Sequence, residues 1–216
     1  MEAMALESLV ASVWRLDGFL AVARHPLRVD RGYSDVDVVG VRGDGTIRVG
    51  ECKARGPALE VNVDADGHGW SSWWDAGLAN LQRLWEQRPA WLPPPDQIIN
   101  FEFHLVGNVW FPDDGARQSA EARLLSAVKA HLPRGLKSKA AAVVTPSVEL
   151  VLEAMRRVRS DVVEDGWGKR YGDPLLDALR EMIRYAHARP AGGRHVRDTI
   201  RDEFKREFVL AIFGEG

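Results

Sequence analysis

SDVDVVGVRGDGTIRVGECKA, running from Ser34 to Ala54, decides how the rest of the chain is read. Two β-rich runs, about 35–42 and 46–54, flank a Gly43-Asp44-Gly45 turn, the pattern of a hairpin. The first run carries Asp37 and the second ends in Glu51-Cys52-Lys53. Alternate side chains of a strand share a face, so Glu51 and Lys53 point one way and Cys52 the other. The flanking residues Val36, Val38, Val39, Val41, Ile47 and Val49 are apolar, as in a sheet buried on both faces. Charges embedded in such a sheet are costly unless they are paired or bind a metal. Two carboxylates hold a hard divalent cation through oxygen. An ammonium beside them can stabilise developing negative charge or help activate water. That combination suits phosphodiester hydrolysis. The same residues also fit a plain hairpin carrying solvated charge, where a cross-strand pair contributes only about 0.2–1 kcal/mol.

The stretch resembles the PD-(D/E)XK nuclease superfamily, including its Holliday-junction resolvase and Mrr-like branches. Asp37 matches the aspartate that opens the first strand, Glu51 the acidic position and Lys53 the lysine. Glu7, in Leu6-Glu7-Ser8-Leu9-Val10, matches the glutamate that the family often carries on the preceding helix. Val36 stands where the family's name has proline. The likeness runs from Leu6 to about Leu59 in the order helix, strand, strand, hairpin and Glu-X-Lys strand. It implies a restriction-endonuclease-like α/β fold, a mixed β-sheet core flanked by helices. It also implies a Mg²⁺- or Mn²⁺-dependent endonuclease with DNA as substrate, leaving a 5′-phosphate and a 3′-hydroxyl, in repair, restriction or phage defence. Asp37 and Glu51 would be metal ligands, with the Cys52 backbone carbonyl as a further one. Lys53 would position or activate the attacking water, and Glu7 would assist. The alternative is a catalytically silent module of the same fold that binds DNA or a protein partner. Asp35 shares a strand face with Asp37 and is either a further ligand or a polar residue at the strand entrance.

The chain has 216 residues, 45% hydrophobic and 28% charged, enough for one ordinary domain with an appendage. No run of about 18 apolar residues predicts a transmembrane helix, and the first residues lack a signal-peptide pattern. Cys52 is the single cysteine, so no intrachain disulfide forms and a reducing cytoplasm is expected. As a thiol nucleophile it competes with the reading of a small buried core residue. A net charge of −2 argues against bulk nucleic-acid coating and leaves room for a local basic patch. The basic clusters are Arg134, Lys137 and Lys139; Arg156, Arg157 and Arg159; Lys169-Arg170; and Arg194–Arg201.

Helical spacing covers residues 4–17, with Leu6, Leu9, Val10, Val13 and Trp14 inward. A strand at 19–29 contains Pro26, which marks an edge or a bulge. Residues 55–69 read as a loop, and a helix runs from Ser71 or Ser72 to about Gln87. Further elements are a long strand at 98–109, a helix at 116–131 and a strand at 140–145. After Pro146 only helices are expected, at 147–160, 173–188 and 195–213, so the chain divides into a 1–146 core and a 147–216 helical extension. The apolar stripe of the last helix suits packing on the chain's own core, a homodimer or a larger complex.

Trp70, Trp73, Trp74 and Trp85 follow the acidic stretch and read either as core or as bases' stacking partners. Gln82-Arg83-Leu84-Trp85 resembles the Gln-x-x-Tyr element of the RecB-like branch, with Trp85 in place of tyrosine, which implies helix residues that support the site. His68 is a loop histidine that could approach the acidic cluster. No zinc spacing, phosphate-binding loop or dinucleotide fingerprint occurs.

Overall fold

A computed structural model of the chain describes residues 3–30, 32–53, 59–60, 72–164, 170–186, 202 and 206. The chain divides into two compact units, Met1–Glu153 and Ala154–Gly216. This places the division inside a helix, after the sequence-derived boundary at 146.

The first unit opens with α1 (Ala3–Leu16), followed by β1 (Leu20–Val29), β2 (Gly32–Val41) and β3 (Thr46–Lys53). Then come β4 (Leu59–Glu60), α2 (Ser72–Gln87), β5 (Asn100–Gly107), β6 (Val109–Trp110), α3 (Asp114–Ala130) and β7 (Ala140–Pro146). A 3₁₀ turn, Arg134–Leu136, precedes β7. The fold is mixed α/β, with a five-stranded sheet in the order β1-β2-β3-β5-β7. β1, β2 and β3 pair antiparallel, and β3–β5 and β5–β7 pair parallel. Asp44 closes the β2–β3 turn by accepting from the Thr46 N–H at 3.0 Å.

The long strand expected at 98–109 is two strands. β5 stays in the main sheet, and the chain turns at Asn108, whose N–H donates to the Lys53 carbonyl at 3.2 Å. β6 then pairs in parallel with β4 as a separate two-stranded sheet. β apolarity continues across the break, so hydrophobic pattern alone could not show it.

Helices cover both faces of the main sheet. α1 lies against Gly40 and Gly50, where a Cβ would stand 3.0 and 3.2 Å from the Trp14 ring. Neighbouring Val49 faces the other way, into a core formed by Ile47, Phe101, Phe103, Leu105 and Val144 with Leu78, Leu81 and Leu84 of α2 and Leu124 and Val128 of α3. Burial of such side chains contributes about 1.5–3 kcal/mol each, which makes this face the main source of stability.

The two edges of the sheet carry side-chain plugs. On β1, Arg15 donates to the Ala21 carbonyl at 3.1 and 3.0 Å, and the Gln87 amide binds both the N–H and the carbonyl of Arg28, at 3.0 and 2.5 Å. On β7, Arg117 donates to the Val144 carbonyl at 3.0 Å, and Glu121 accepts from the Val144 N–H at 3.1 Å. Pro26 lies on β1, the edge strand, as its missing N–H requires.

α4 (Ser147–Glu164) runs into the second unit, which also contains α5 (Pro174–Ala186). There Ala154, Val158 and Leu176 are buried, and Asp173 caps α5 by accepting from the N–H groups of Leu175 and Leu176. The helix expected at 195–213 lies outside the described residues, apart from Asp202 and Arg206, which are helical. Among the described residues no helix is long and apolar enough to cross a membrane.

Candidate functional site

The β2–β3 ladder ends at Val38–Gly50, while β3 continues beside β5 to Lys53. Backbone groups past the last rung must find other partners. The Cys52 N–H finds one in the Asp37 carboxylate, 2.7 Å away. In a strand a residue's N–H and carbonyl point to the same edge, so the Cys52 carbonyl also faces this splayed gap. The β1–β2 ladder is interrupted at the same level. Its register runs through Ala23–Val38 and His25–Val36, and the Arg24–Asp37 rung between them is missing. Arg24 there adopts φ 58°, a left-handed conformation uncommon for a residue with a Cβ.

Glu51 projects from the end of β3 and is 4% exposed. Lys53, on the same strand face, forms an ion pair with it through Nζ and Oε1. The Glu51 carboxylate lies directly on α2. A Cβ at Gly77 would stand 2.6 Å from Oε2, 2.8 Å from the carboxyl carbon and 2.9 Å from the Glu51 Cβ. Only glycine leaves room for the acid at that helix position.

Glu7 comes in from α1 and is 6% exposed. Its Oε2 is buried without a hydrogen-bond partner, and Arg24 Nε stands 3.7 Å from it. Arg24 also pairs with Asp35 at 3.0 Å. Glu7, Asp37 and Glu51 therefore gather at one end of the sheet from α1, β2 and β3, with Lys53 and Arg24 as counter-charges.

Their protonation follows from the burial. Glu51 is pushed up to about 7, mainly by desolvation and then by the negative charge of Asp37, which Lys53 offsets in part. Burial also raises Asp37, against the opposing pull of the Cys52 N–H and Lys53. Glu7 is raised by burial and then by Asp37. Three carboxyl groups that each disfavour ionisation, with Asp37 repelling both Glu7 and Glu51, form a site that favours added positive charge.

The oxygen donors suit a hard cation, and the orphaned Glu7 Oε2 is an unused acceptor facing the same cluster. As they stand, no three Asp, Glu, His or Cys side chains among the described residues are arranged around a common ion position. Lys53 holds one Glu51 oxygen itself.

Of the other candidates, Cys52 is a buried core residue whose thiol is raised well above its ordinary range, mainly by burial, so it is no nucleophile at neutral pH. Trp74 is buried in the core, and Trp85 packs on Phe101 with ring centroids 6.0 Å apart. Trp70, His68 and the Trp73 side chain lie outside the described residues. Gln82 does not support the site; it donates to Glu86 along the exposed face of α2. Asn80 makes that approach instead, and no feature of the sequence pattern singled it out. Lys139 serves the fold by donating to the Ile98 carbonyl.

No family model matches the chain. No curated protein matches it either. A solved structure described as "Crystal Structure of Protein of Unknown Function AF1548" is similar over 95% of this chain and 98% of its own, at 14% identity and a TM-score of 0.37.

Proposed function

We propose that the chain is a Mg²⁺- or Mn²⁺-dependent endonuclease of the PD-(D/E)XK type that cleaves DNA. The observation that carries this reading is the gathering of Glu7, Asp37 and Glu51 with Lys53 where two strands splay, with Glu51 pushed up to about 7. Carboxylates buried together at such expense to their ionised forms are a common mark of a working site. Asp37 and Glu51, with the Cys52 carbonyl beside them, would hold the divalent ion. A bound ion supplies Lewis acidity toward the phosphate and lowers the pKa of water. The chain's own residues do the rest. Lys53 places a positive charge beside Glu51, where it orients the attacking water and offsets charge that builds on the phosphate. Asp37, anchored by the Cys52 N–H, fixes one wall of the site. Glu7, whose Oε2 is buried without a hydrogen bond and faces Arg24 at 3.7 Å, would close the other wall and offer that oxygen to a metal-bound water.

The Lys53–Glu51 ion pair supports a second reading, because it neutralises part of the cluster without any metal. On that reading the chain is a silent module that binds DNA or a protein partner.

Incubation of the purified protein with supercoiled plasmid, single-stranded and branched DNA, and RNA tests both. The nuclease reading expects cleavage with Mg²⁺ or Mn²⁺ and none with Ca²⁺, which is larger and positions water loosely. Absence of metal-dependent cleavage on all substrates transfers the assignment to the silent module.

A further inference from the structure

The splaying of β2 from β3 leaves the Ser34–Asp37 segment without strand partners on that side, since the ladder stops at Val38–Gly50. On its other side the segment pairs with β1 through Leu27–Ser34, Pro26–Asp35 and His25–Val36, but the Arg24–Asp37 rung is missing, so the stretch next to Asp37 has a free edge that a further tie must hold. The holder comes from α2. Asn80 Nδ2 donates to the Asp35 carbonyl at 2.6 Å, and Asn80 Oδ1 accepts from the Ser34 hydroxyl and from Arg83 Nη1, both at 2.9 Å. Asn80 is 8% exposed, so its amide is a buried polar group that bridges helix and strand. Gly77 lies one helical turn earlier, on the same face, and receives the Glu51 carboxylate. One face of one helix thus touches both acidic strands, β3 through Gly77 and β2 through Asn80.

We infer that Asn80 is the positioning residue of the acidic cluster. Its side chain replaces the missing strand partner and fixes the segment that carries Asp37, so that Asp37 meets the Cys52 N–H and stands opposite Glu51. The catalytic consequence rests on the nuclease reading, whereas the positioning itself does not.

Amide hydrogen exchange tests it on the full chain without metal. In Asn80→Ala, which removes all three side-chain hydrogen bonds including the one to the Asp35 carbonyl, the Cys52 N–H that Asp37 holds exchanges at least about tenfold faster, while the core amides of Val49 and Phe103 keep the parent rate. Asn80→Asp keeps the side-chain shape and the bonds accepted from Ser34 and Arg83 but loses the donated one, so above neutral pH it behaves like the alanine variant. In calorimetry with Mn²⁺ alone, both variants bind about tenfold more weakly. In cleavage, kcat falls with little change in KM for DNA. Equal acceleration at Cys52, Val49 and Phe103 overturns the inference, because Asn80 then stabilises only the whole fold. Unchanged exchange at Cys52 overturns it too. A parent protein that cleaves nothing sinks the nuclease reading, and the exchange contrast at Cys52 then still decides whether Asn80 positions Asp37.

Discussion

Glu51 keeps its proton into neutral pH because its carboxylate is walled in by α2 and faces Asp37. In the unfolded chain it releases that proton near the ordinary value of 4.5. Between these two values the folded state binds more protons than the unfolded one, so stability falls as pH rises and levels off above about 7. Glu51 alone contributes a loss on the order of 3 kcal/mol across this window. Urea midpoints of metal-free protein at pH 5 and pH 8 measure it, with Glu51→Gln as reference. The parent should lose much more than the variant; equal pH profiles count against a buried, proton-holding Glu51. At the neighbouring position, Lys53→Ala is expected to reduce turnover at least about 100-fold while DNA affinity holds, because a single ammonium at the reacting centre acts on the transition state. Asp37→Ala should lose turnover and Mn²⁺ binding together. Gel-shift titration in Ca²⁺ beside plasmid cleavage in Mg²⁺ separates the two effects. A lysine variant that cleaves at the parent rate excludes the assigned role.

At the scale of elements, α2 carries a conflict between local preference and the site. Glycine inside a helix is unfavourable by about 1 kcal/mol relative to alanine, so propensity alone predicts that Gly77→Ala stabilises. The Cβ so added would stand 2.6 Å from Glu51 Oε2. Gly77→Ala is therefore expected to destabilise by about 1–3 kcal/mol, the usual range for overpacking, and to weaken Mn²⁺ binding. In a Glu51→Gly background the carboxylate and the Cβ that stands 2.9 Å away are both gone, and the same substitution should stabilise by up to about 1 kcal/mol. Denaturant midpoints of the four proteins in this cycle give the coupling. A Gly77→Ala effect of the same sign in both backgrounds rules out the contact.

The contrast shows what the sequence could carry. β2 and β3 were legible because alternating Val and Ile flank a Gly-Asp-Gly turn, and the period of two placed Glu51 with Lys53 and Cys52 opposite. The place of Glu7 at the margin of a buried helix face was legible from the helical spacing of Leu6, Leu9 and Val10. Gly77 and Asn80 were hidden, since a glycine and an asparagine within an amphipathic helix look like weak surface choices until the facing strand is known. The Arg24 backbone, at φ 58°, leaves no compositional trace either. The break at Asn108 went unread because apolar residues continue on both sides of it.

Across the whole molecule, the first unit is an open sheet with two edges, and both are plugged by side chains. Open edges pair with other chains unless they are blocked. Removing one plug on each edge, Gln87→Ala with Glu121→Ala, should raise self-association, seen as a larger mass in light scattering at equal concentration. An unchanged monomer fraction would mean that the helices, rather than these four side chains, guard the edges.

The proton on Glu51 also has a meaning for traffic in and out of the site. With its pKa pushed up to about 7, Glu51 exchanges that proton in the neutral range. A cation that took the carboxylate would have to evict that proton, so loading the site would release a fraction of a proton per ion at neutral pH. Heats of Mn²⁺ uptake should then differ between buffers of high and low ionisation enthalpy at pH 7 and converge near pH 9. On the nuclease reading, the buried glutamate would make cation capture a reaction that the surrounding buffer takes part in, and the occupancy of the site a report on local acidity.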